Sequence, residues 1–245
     1  MRFTEKQGSI AEKIASDLER YFSQISSEDS AIAYSGGLDS TILLAFSGFR
    51  LKAYNVSSRV SRDFENAVKA SRLLNFTLNH IDLDEIDLKS YIEIVKEIDP
   101  DISNSELGYE LVLTILLDRI PEKTVYTGQG ADELFFGYRR FLDDPGLDNA
   151  DHMNKLFTVT LPRELKIADY FGKTLKAPYL ESNIAKLVAP LPREDHFAGE
   201  TNKAILRAVA SLKGLPPEII SLKKKAAQYG SGINKRIQFK RRYPL

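Results

Sequence analysis

The first half of the chain alternates short apolar runs with longer segments in which apolar residues recur every three or four positions. The first of these segments predicts an amphipathic helix, whose apolar positions are Ile10, Ile14, Leu18, Phe22 and Ile25. Ser9 and Glu12 have the spacing of a capping box at its start. The chain therefore opens with a helix that has one face to bury.

Four short apolar runs then predict buried strands, at residues 31–34, 51–56, 77–81 and 124–127. Helical patterns lie between them, at 41–46, 62–74, a segment that ends at 98 before Asp99 and Pro100, and 107–119. Strands that alternate with helices are typical of an α/β fold, with a parallel sheet covered by helices on both faces.

The strand signal fades after about residue 138. Residues 143–154 are polar and are predicted to form a loop, whereas 200–212 have a helical pattern. We therefore divide the chain into an N-terminal helix at 1–29, an α/β core at 30–142, and a helical part with a basic tail at 143–245. No apolar run is long enough to predict a membrane span.

The composition excludes several kinds of site. The 245 residues include no cysteine, so disulfides, thiolate metal sites and a cysteine nucleophile are excluded. The three histidines, His80, His152 and His196, lie far apart in the sequence and do not predict a zinc site. The N-terminus lacks an apolar signal region, and we expect a cytoplasmic protein.

The charges balance at 34 basic and 34 acidic side chains, but they are unevenly distributed. Residues 222–245 contain no acid and eight basic residues, Lys223, Lys224, Lys225, Lys235, Arg236, Lys240, Arg241 and Arg242. The tail thus carries +8 and the preceding part −8. This asymmetry predicts that the tail meets an anion or neutralises the acidic body.

The segment 35–40, Ser-Gly-Gly-Leu-Asp-Ser, follows the first predicted strand and opens a helix. Gly36 and Gly37 allow a tight turn that brings backbone N–H groups close to an anion, and Ser35 and Ser40 can donate to phosphate oxygens. Asp39 would repel a phosphate unless a cation lay between them, and we interpret it as a Mg²⁺ ligand.

The segment 128–133, Gly-Gln-Gly-Ala-Asp-Glu, has the same character after the fourth strand. Asp132 can offer a second carboxylate to the same Mg²⁺, and Glu133 can bind it or hold a neighbouring base. Taken alone, each loop could be a glycine-rich turn with acids that suit the first turn of a helix. Two such loops at strand ends favour a functional site, because ligands bind there in open parallel sheets.

Segment 35–40 resembles the signature of the PP-loop (N-type) ATP pyrophosphatases, and the chain as a whole resembles the synthetase domain of asparagine synthases and the related β-lactam synthetase. Further stretches match in order, at 127–138, 177–181, 203–207, and 215–219 leading to 223–225 and 229–232. The resemblance covers residues 30 to 232. It implies an adenine nucleotide alpha hydrolase-like fold and assigns 30–245 to a synthetase domain.

The resemblance also implies an activity and its residues. The enzyme would adenylate a carboxylate such as aspartate with ATP and Mg²⁺, release pyrophosphate, and transfer the acyl group to ammonia or another amine. The 35–40 loop, with Gly128 and Gly130, would hold the nucleotide, and the backbone around Val56 would bind the adenine. Asp39 and Asp132 would hold Mg²⁺, and Lys224 would stabilise charge at the reacting centre.

The sequence departs from the family at two points. Asparagine synthases carry an N-terminal glutaminase domain with a cysteine nucleophile at residue 2, where this chain has Arg2. Free ammonia, a separate glutaminase subunit or another amine would then supply the nitrogen. Gln129 stands where the family usually has a glutamate near the attacking amine, and a neutral amide cannot act as a base.

Two other functions remain open at this point. One is a PP-loop ligase that acts on tRNA through the basic tail, although few aromatic residues accompany those charges. The other is a regulatory subunit that binds ATP or AMP without catalysis. We expect small-molecule substrates rather than nucleic acid or membrane as partners, and the sequence leaves the oligomeric state open.

Overall fold

The computed structural model describes residues 2–26, 28–144, 146–222 and 230–242, with the backbone alone for 238–242. Its five strands are β1 Ser30–Ala33, β2 Lys52–Ser57, β3 Leu78–Asp82, β4 Thr124–Tyr126 and β5 Thr174–Lys176. Every neighbouring pair is parallel, and the order across the sheet is β3-β2-β1-β4-β5. The α/β architecture predicted from the sequence is confirmed.

The helices of the described residues follow the strands as the alternating pattern predicts. They are α1 Glu5–Ser23, α2 Leu38–Phe46, α3 Arg62–Leu74, α4 Leu88–Ile98, α5 Asn104–Arg119, α6 Ala131–Leu134, α7 Arg140–Asp143, α8 Ala150–Lys155, α9 Leu161–Tyr170, α10 Pro178–Glu181, α11 Ile184–Val188, α12 Ala204–Leu212, α13 Pro217–Ile220 and α14 Ile233–Arg242. A π-helix, Leu156–Thr160, joins α8 to α9, and 3₁₀ turns form at Leu83–Glu85 and Arg193–His196.

Two hydrophobic clusters cover the two faces of the sheet. One contains Ile32 of β1 and packs it with residues of α1, α2, α3 and α12. The other contains Ala31 of the same strand and packs it with residues of α4, α5, α9 and α14. Neighbouring residues of a strand point to opposite faces, so the continuous apolar run in β1 is explained by burial on both sides.

The strand order places the two glycine-rich segments side by side. The chain moves outward from β1 to β2 and β3, and then returns to add β4 on the other side of β1. The carboxyl ends of β1 and β4 are therefore adjacent at the point where the direction of the sheet reverses, which is where open α/β sheets bind ligands. Segments 35–40 and 128–133 both leave the sheet at this place.

The start of α1 was predicted wrongly. The helix begins five residues earlier than the Ser9–Glu12 pair suggested, with Thr4 as its N-cap. The Thr4 hydroxyl accepts from the Gln7 backbone at 3.1 Å, and the Gln7 side chain accepts from the Thr4 N–H at 2.9 Å. Glutamine completes this capping box as well as glutamate would.

The C-terminal part contributes a strand that the sequence pattern did not predict. β5 pairs with β4 through the register Val125 to Leu175, and Leu175 is the buried member of its three residues. Such a short strand carries too little apolar pattern to be recognised.

The loop predicted at 143–154 is partly wrong, because α8 begins at Ala150. Within the described residues, no helix is long and apolar enough to cross a membrane.

Alanine substitutions at Gly36 and Gly8 provide a matched test of the left-handed backbone conformation in the turn after β1. Gly36 has a φ of +72°, and a Cβ there would overlap the backbone of Ala67 in α3, whereas Gly8 in α1 has open space around it. We expect Gly36→Ala to lower the free energy of unfolding by about 2 kcal/mol or more, from left-handed strain and overlap. Gly8→Ala should raise it by roughly 0.5 kcal/mol. Urea denaturation measures both, and equal effects would contradict the assigned loop conformation.

Candidate active site

A cavity of about 670 Å³ opens at the carboxyl ends of β1 and β4. This is within the range of about 300–1,000 Å³ that is usual for small-molecule sites. The cavity brings together most of the residues that the sequence predicted, namely Ser35, Asp39, Ser40, Val56, Gly128, Gln129, Gly130 and Asp132. Gly36 and Gly37 form the turn between Ser35 and the start of α2.

The turn after β1 leaves the first N–H groups of α2 available. Gly37 is the N-cap of α2 and has no side-chain cap. The Ser35 and Ser40 hydroxyls lie 3.4 Å apart across the turn, and Ser40 also donates to the Gly37 carbonyl at 3.3 Å. Two hydroxyls and a helix N-terminus at one cavity wall form a suitable place for an anion.

The loop after β4 packs directly against this turn. Gly128 lies so close that a Cβ there would be 3.3 Å from the Asp39 Cβ. Gly130 has a φ of +86°, and a side chain at this position would overlap Leu180. Gly128 thus allows the close approach of the two loops, and Gly130 allows the left-handed turn against Leu180.

Lys203 joins the two predicted metal ligands. Its Nζ lies 2.8 Å from Asp39 Oδ1 and 2.6 Å from Asp132 Oδ1. The Lys203 side chain is 5% exposed and that of Asp39 is 3% exposed. Lys203 precedes α12 with a φ of +56°, an uncommon conformation for a lysine. Two carboxylates thus converge on one cation at the meeting point of the two loops.

No role was predicted for Lys203, although the residue opens the matched stretch 203–207. It lies 164 residues from Asp39 along the chain, and only the tertiary fold reveals the contact. Gly137 makes room for it, since a Cβ there would overlap both Asp132 and Lys203. Lys224, which the resemblance placed at the reacting centre, lies outside the described residues.

One end of the cavity is largely apolar. It lies beside the carboxyl end of β2 and contains Ala33, Tyr54, Val56, Val112 and Leu116. Val56 is 4% exposed and belongs to the core cluster that also holds Leu116. A flat apolar ring would fit this end, where the backbone of β2 remains within reach.

The other end is polar and is built by α5, α6 and the helical run from α8 to α9. Gln129 Nε2 donates to Glu164 Oε1 at 2.9 Å. The hydroxyl of Tyr138 donates to Glu133, and the Arg140 guanidinium lies 4.8 Å from the Tyr138 ring centre. The sequence did not predict Glu164, because it belongs to no motif.

A buried cation supports this polar wall from behind. Arg163 is 2.7 Å from both Glu110 Oε1 and Asp99 Oδ2, and 3.4 Å from Glu106 Oε1. Burial raises the pKa of Glu110 to about 7, although the Arg163 charge opposes the shift. Burial tends to raise the pKa of Glu106, but the hydrogen bonds from Ser103 and Lys155 outweigh it and lower the pKa to about 2. The wall thus contains both charged and readily protonated acids.

Of the three acids that line the cavity at this end, Glu133 and Glu164 have raised pKa values, unlike Glu106. Burial raises the pKa of Glu164 well above its usual range, and the charge of Glu110 adds to this while Arg163 opposes it. Burial and the Asp132 charge raise the pKa of Glu133. Acids with raised pKa values in a cavity are candidates for proton transfer.

Lys203 can be tested by removing its charge. We expect Lys203→Met to lower the free energy of unfolding by about 3 kcal/mol in Mg²⁺-free buffer, because two acids would then face each other without a buried counter-charge. Lys176→Met is the matched control, since its pair with Glu181 spans 3.6 Å and is 41% and 35% exposed. It should cost less than about 1 kcal/mol. Similar losses in urea denaturation would contradict the role of Lys203.

Comparison with known proteins agrees with this geometry. The sequence profile of the Asparagine synthase family matches residues 25–167 and 150–241. Over 84% of its length the chain is 27% identical to "Putative asparagine synthetase (glutamine-hydrolyzing) 1" of Methanocaldococcus jannaschii, covering 46% of that protein. It is 31% identical to an asparagine synthetase domain-containing protein of Saccharomyces cerevisiae, over 44% of the chain and 21% of the relative.

An asparagine synthetase domain-containing protein of Drosophila melanogaster is 29% identical over 43% of the chain, which covers 22% of that relative. The chain spans less than half the length of each of these three relatives. The parallel sheet and the position of its loops fit the adenine nucleotide alpha hydrolase-like fold. The chain therefore belongs to the asparagine synthase family and matches its synthetase part.

Proposed function

We propose that the protein is an ATP-dependent amide ligase that forms AMP and pyrophosphate. The observation that carries this proposal is the convergence of Asp39 and Asp132 on one ammonium group between two glycine-rich strand-end loops. A site that only binds a nucleotide does not require two carboxylates beside the phosphates. A site that breaks a phosphate bond can use them to hold a divalent cation, which neutralises the negative charge that develops there.

The nucleotide would lie with its base at the apolar end and its phosphates at the two loops. Val56 and its neighbours provide the apolar surface, with the backbone of β2 for polar contacts. Ser35 and Ser40 would donate to the phosphate oxygens from the turn before α2. The N-terminus of α2 adds a partial positive charge at the same point.

The residues present fit a bound Mg²⁺. Asp39 and Asp132 already meet at a single cation, and carboxylate oxygens are the ligands that Mg²⁺ prefers. When bound, the metal would neutralise charge on the phosphate oxygens. Phosphate oxygens and water would complete its ligands, because the described residues hold no cluster of three acids or histidines that could bind a metal. Lys203 would stay at the phosphates as a second positive charge.

The reaction would proceed in two steps. A substrate carboxylate oxygen attacks the α-phosphorus, the bond to the bridging oxygen breaks, and pyrophosphate leaves. An amine nitrogen then attacks the acyl carbon, a proton leaves the nitrogen, and the bond to AMP breaks to give the amide. The protein acts mainly by holding the reactants in place and neutralising charge. The carboxylic acid and the amine would occupy the polar end of the cavity.

Aspartate and ammonia are the first substrates to test. We expect incubation with Mg·ATP, aspartate and ammonium to give AMP, pyrophosphate and asparagine in equal amounts, as chromatography of nucleotides and amino acids would measure. AMP formation with another carboxylic acid from a panel would keep the ligase and change its substrate. Tight ATP binding without pyrophosphate release for any acid would favour the regulatory function instead.

Asp39→Asn tests the phosphate site itself. The substitution keeps the shape and removes the charge, so pyrophosphate release should fall by on the order of 100-fold or more while the fold persists. Asp169→Asn is the matched control, because Asp169 is an exposed acid of α9 away from the cavity. Unchanged pyrophosphate release in Asp39→Asn would contradict the assigned phosphate site.

A further inference from the structure

Lys203 and a divalent cation have to compete for the two predicted metal ligands. The lysine ammonium lies 2.8 Å from Asp39 Oδ1 and 2.6 Å from Asp132 Oδ1. Mg²⁺ binds carboxylate oxygens at about 2.0–2.1 Å, so a metal on that oxygen of Asp132 would lie within about 5 Å of the ammonium nitrogen. Two positive charges that close together in a buried place repel each other strongly. The site therefore favours one cation or the other between its acids.

Burial raises the cost of displacing the lysine. The side chains of Lys203 and Asp39 are 5% and 3% exposed, so solvent screens their charges little. Gly137 packs against the lysine stem so closely that a Cβ there would overlap the Lys203 Cε. Within the described ranges, no acid other than Asp39 and Asp132 lies within ion-pair distance of the ammonium. A metal that displaced it would leave a buried ammonium without a counter-charge, which is strongly unfavourable.

The backbone around Lys203 is held by neighbouring side chains. Asn202 Nδ2 donates to the Gly137 carbonyl, and Arg207 Nε donates to the Asn202 carbonyl at 2.9 Å. The Arg207 backbone N–H also donates to the Lys203 carbonyl at 2.9 Å. The lysine side chain itself is a flexible stem of four carbons. The ammonium can therefore turn from the acids to an anion beside them while the backbone stays in place.

The phosphate site proposed above would supply that anion. Asp39 lies in the first turn of α2, and the N-terminus of this helix is the place proposed for phosphate oxygens, together with Ser35 and Ser40. A phosphate bound there would be next to the acid that Lys203 contacts. A hydrogen bond between an ammonium and a phosphate is strong. The phosphate could thus take over the ammonium and leave the two carboxylates to a metal.

We propose that Lys203 is an internal cation that keeps free divalent metal out of the site until a phosphate group binds. This proposal rests on the phosphate and metal site of the function proposed above. In the absence of phosphate, the ammonium neutralises Asp39 and Asp132. When phosphate binds, the ammonium moves to it and the metal takes the carboxylates. The protein then takes up its metal together with the nucleotide, and it holds no metal in reserve.

Mn²⁺ tests the exclusion without any catalytic readout, because it prefers the same oxygen ligands as Mg²⁺ and its free concentration is measured by electron paramagnetic resonance. In the full chain without phosphate, we expect Lys203→Met to bind Mn²⁺ at least about 10-fold more tightly than the wild type. Lys176→Met is the matched control, since it removes an exposed pair with Glu181 outside the cavity. It should bind Mn²⁺ as the wild type does.

Two additions identify the place and the trigger. The double variant Lys203→Met/Asp132→Asn should lose the gain in Mn²⁺ affinity, because one of the two carboxylates is then neutral. Inorganic pyrophosphate should make the wild type retain Mn²⁺ in equilibrium dialysis, at metal concentrations where the protein alone retains little. Free complexes of Mn²⁺ with pyrophosphate pass the membrane, so the excess on the protein side reports the metal that the protein binds.

Urea denaturation gives a readout that does not need tight binding. MgCl₂ should raise the unfolding midpoint of Lys203→Met, since the metal binds the two acids only where the fold brings them together. It should leave the wild-type midpoint where NaCl of equal ionic strength leaves it. If Lys203→Met is unfolded without metal, the same addition should refold it. A variant that gains no stability from Mg²⁺ would contradict the proposal.

The binding results can overturn the proposal in three ways. Mn²⁺ affinity of Lys203→Met within about 3-fold of the wild type would show that the lysine excludes nothing. Wild-type protein that retains as much Mn²⁺ without pyrophosphate as with it would show that phosphate is no trigger. A gain that persists in the double variant would place the metal elsewhere. Protein that meets all these expectations but releases no pyrophosphate from ATP with any carboxylic acid would keep the internal cation and overturn the ligase function.

Discussion

The ammonium group of Lys203 is the contact on which the site depends, because it joins three distant parts of the chain. Asp39 begins α2, Asp132 begins α6, and Lys203 precedes α12. Two acids this close would repel each other and push the β1 and β4 loops apart without a cation between them. The same convergence brings two carboxylates together at the meeting point of the two loops.

The polar end of the cavity shows a second use of buried charge. Arg163 contacts Asp99, Glu106 and Glu110, and Lys155 also contacts Glu106, so two cations face three acids. The excess negative charge favours protonation of the acids deepest in the wall. Glu164 is next to Arg163 in α9 but turns toward Gln129 instead. The helix thus presents its positive charge to the core and its carboxylate to the cavity.

Sequence patterns predicted the parts of the fold that depend on local chemistry. The helix at 62–74 was predicted to the residue, since Ser61 caps its start and Asn75 ends it in the left-handed conformation. The strands β1 to β4 were predicted within one or two residues, because burial makes them apolar. β5 was missed because the pairing with β4 supports a strand of three residues that has almost no pattern of its own.

The site residues divide in the same way into those that a local motif predicts and those that only tertiary contacts reveal. Asp39, Gln129 and Asp132 were found because their loops carry glycines and acids together, whereas Lys203 and Glu164 were not. An isolated lysine before a helix, or a glutamate within one, looks like any surface charge until tertiary contacts bury it. Their contacts are with partners 164 and 35 residues away along the chain.

The edge strand β5 has a consequence for how the chain can be divided. It lies beyond residue 142, yet it supplies the hydrogen-bonding partner of β4, and the helix that follows Lys203 packs against α1 and α2. A fragment that stopped at 142 would leave one side of β4 open to pairing with other chains. It would also lack the cation between its two loops. The two glycine-rich loops therefore depend on the C-terminal part both for the pairing of β4 and for the cation between them.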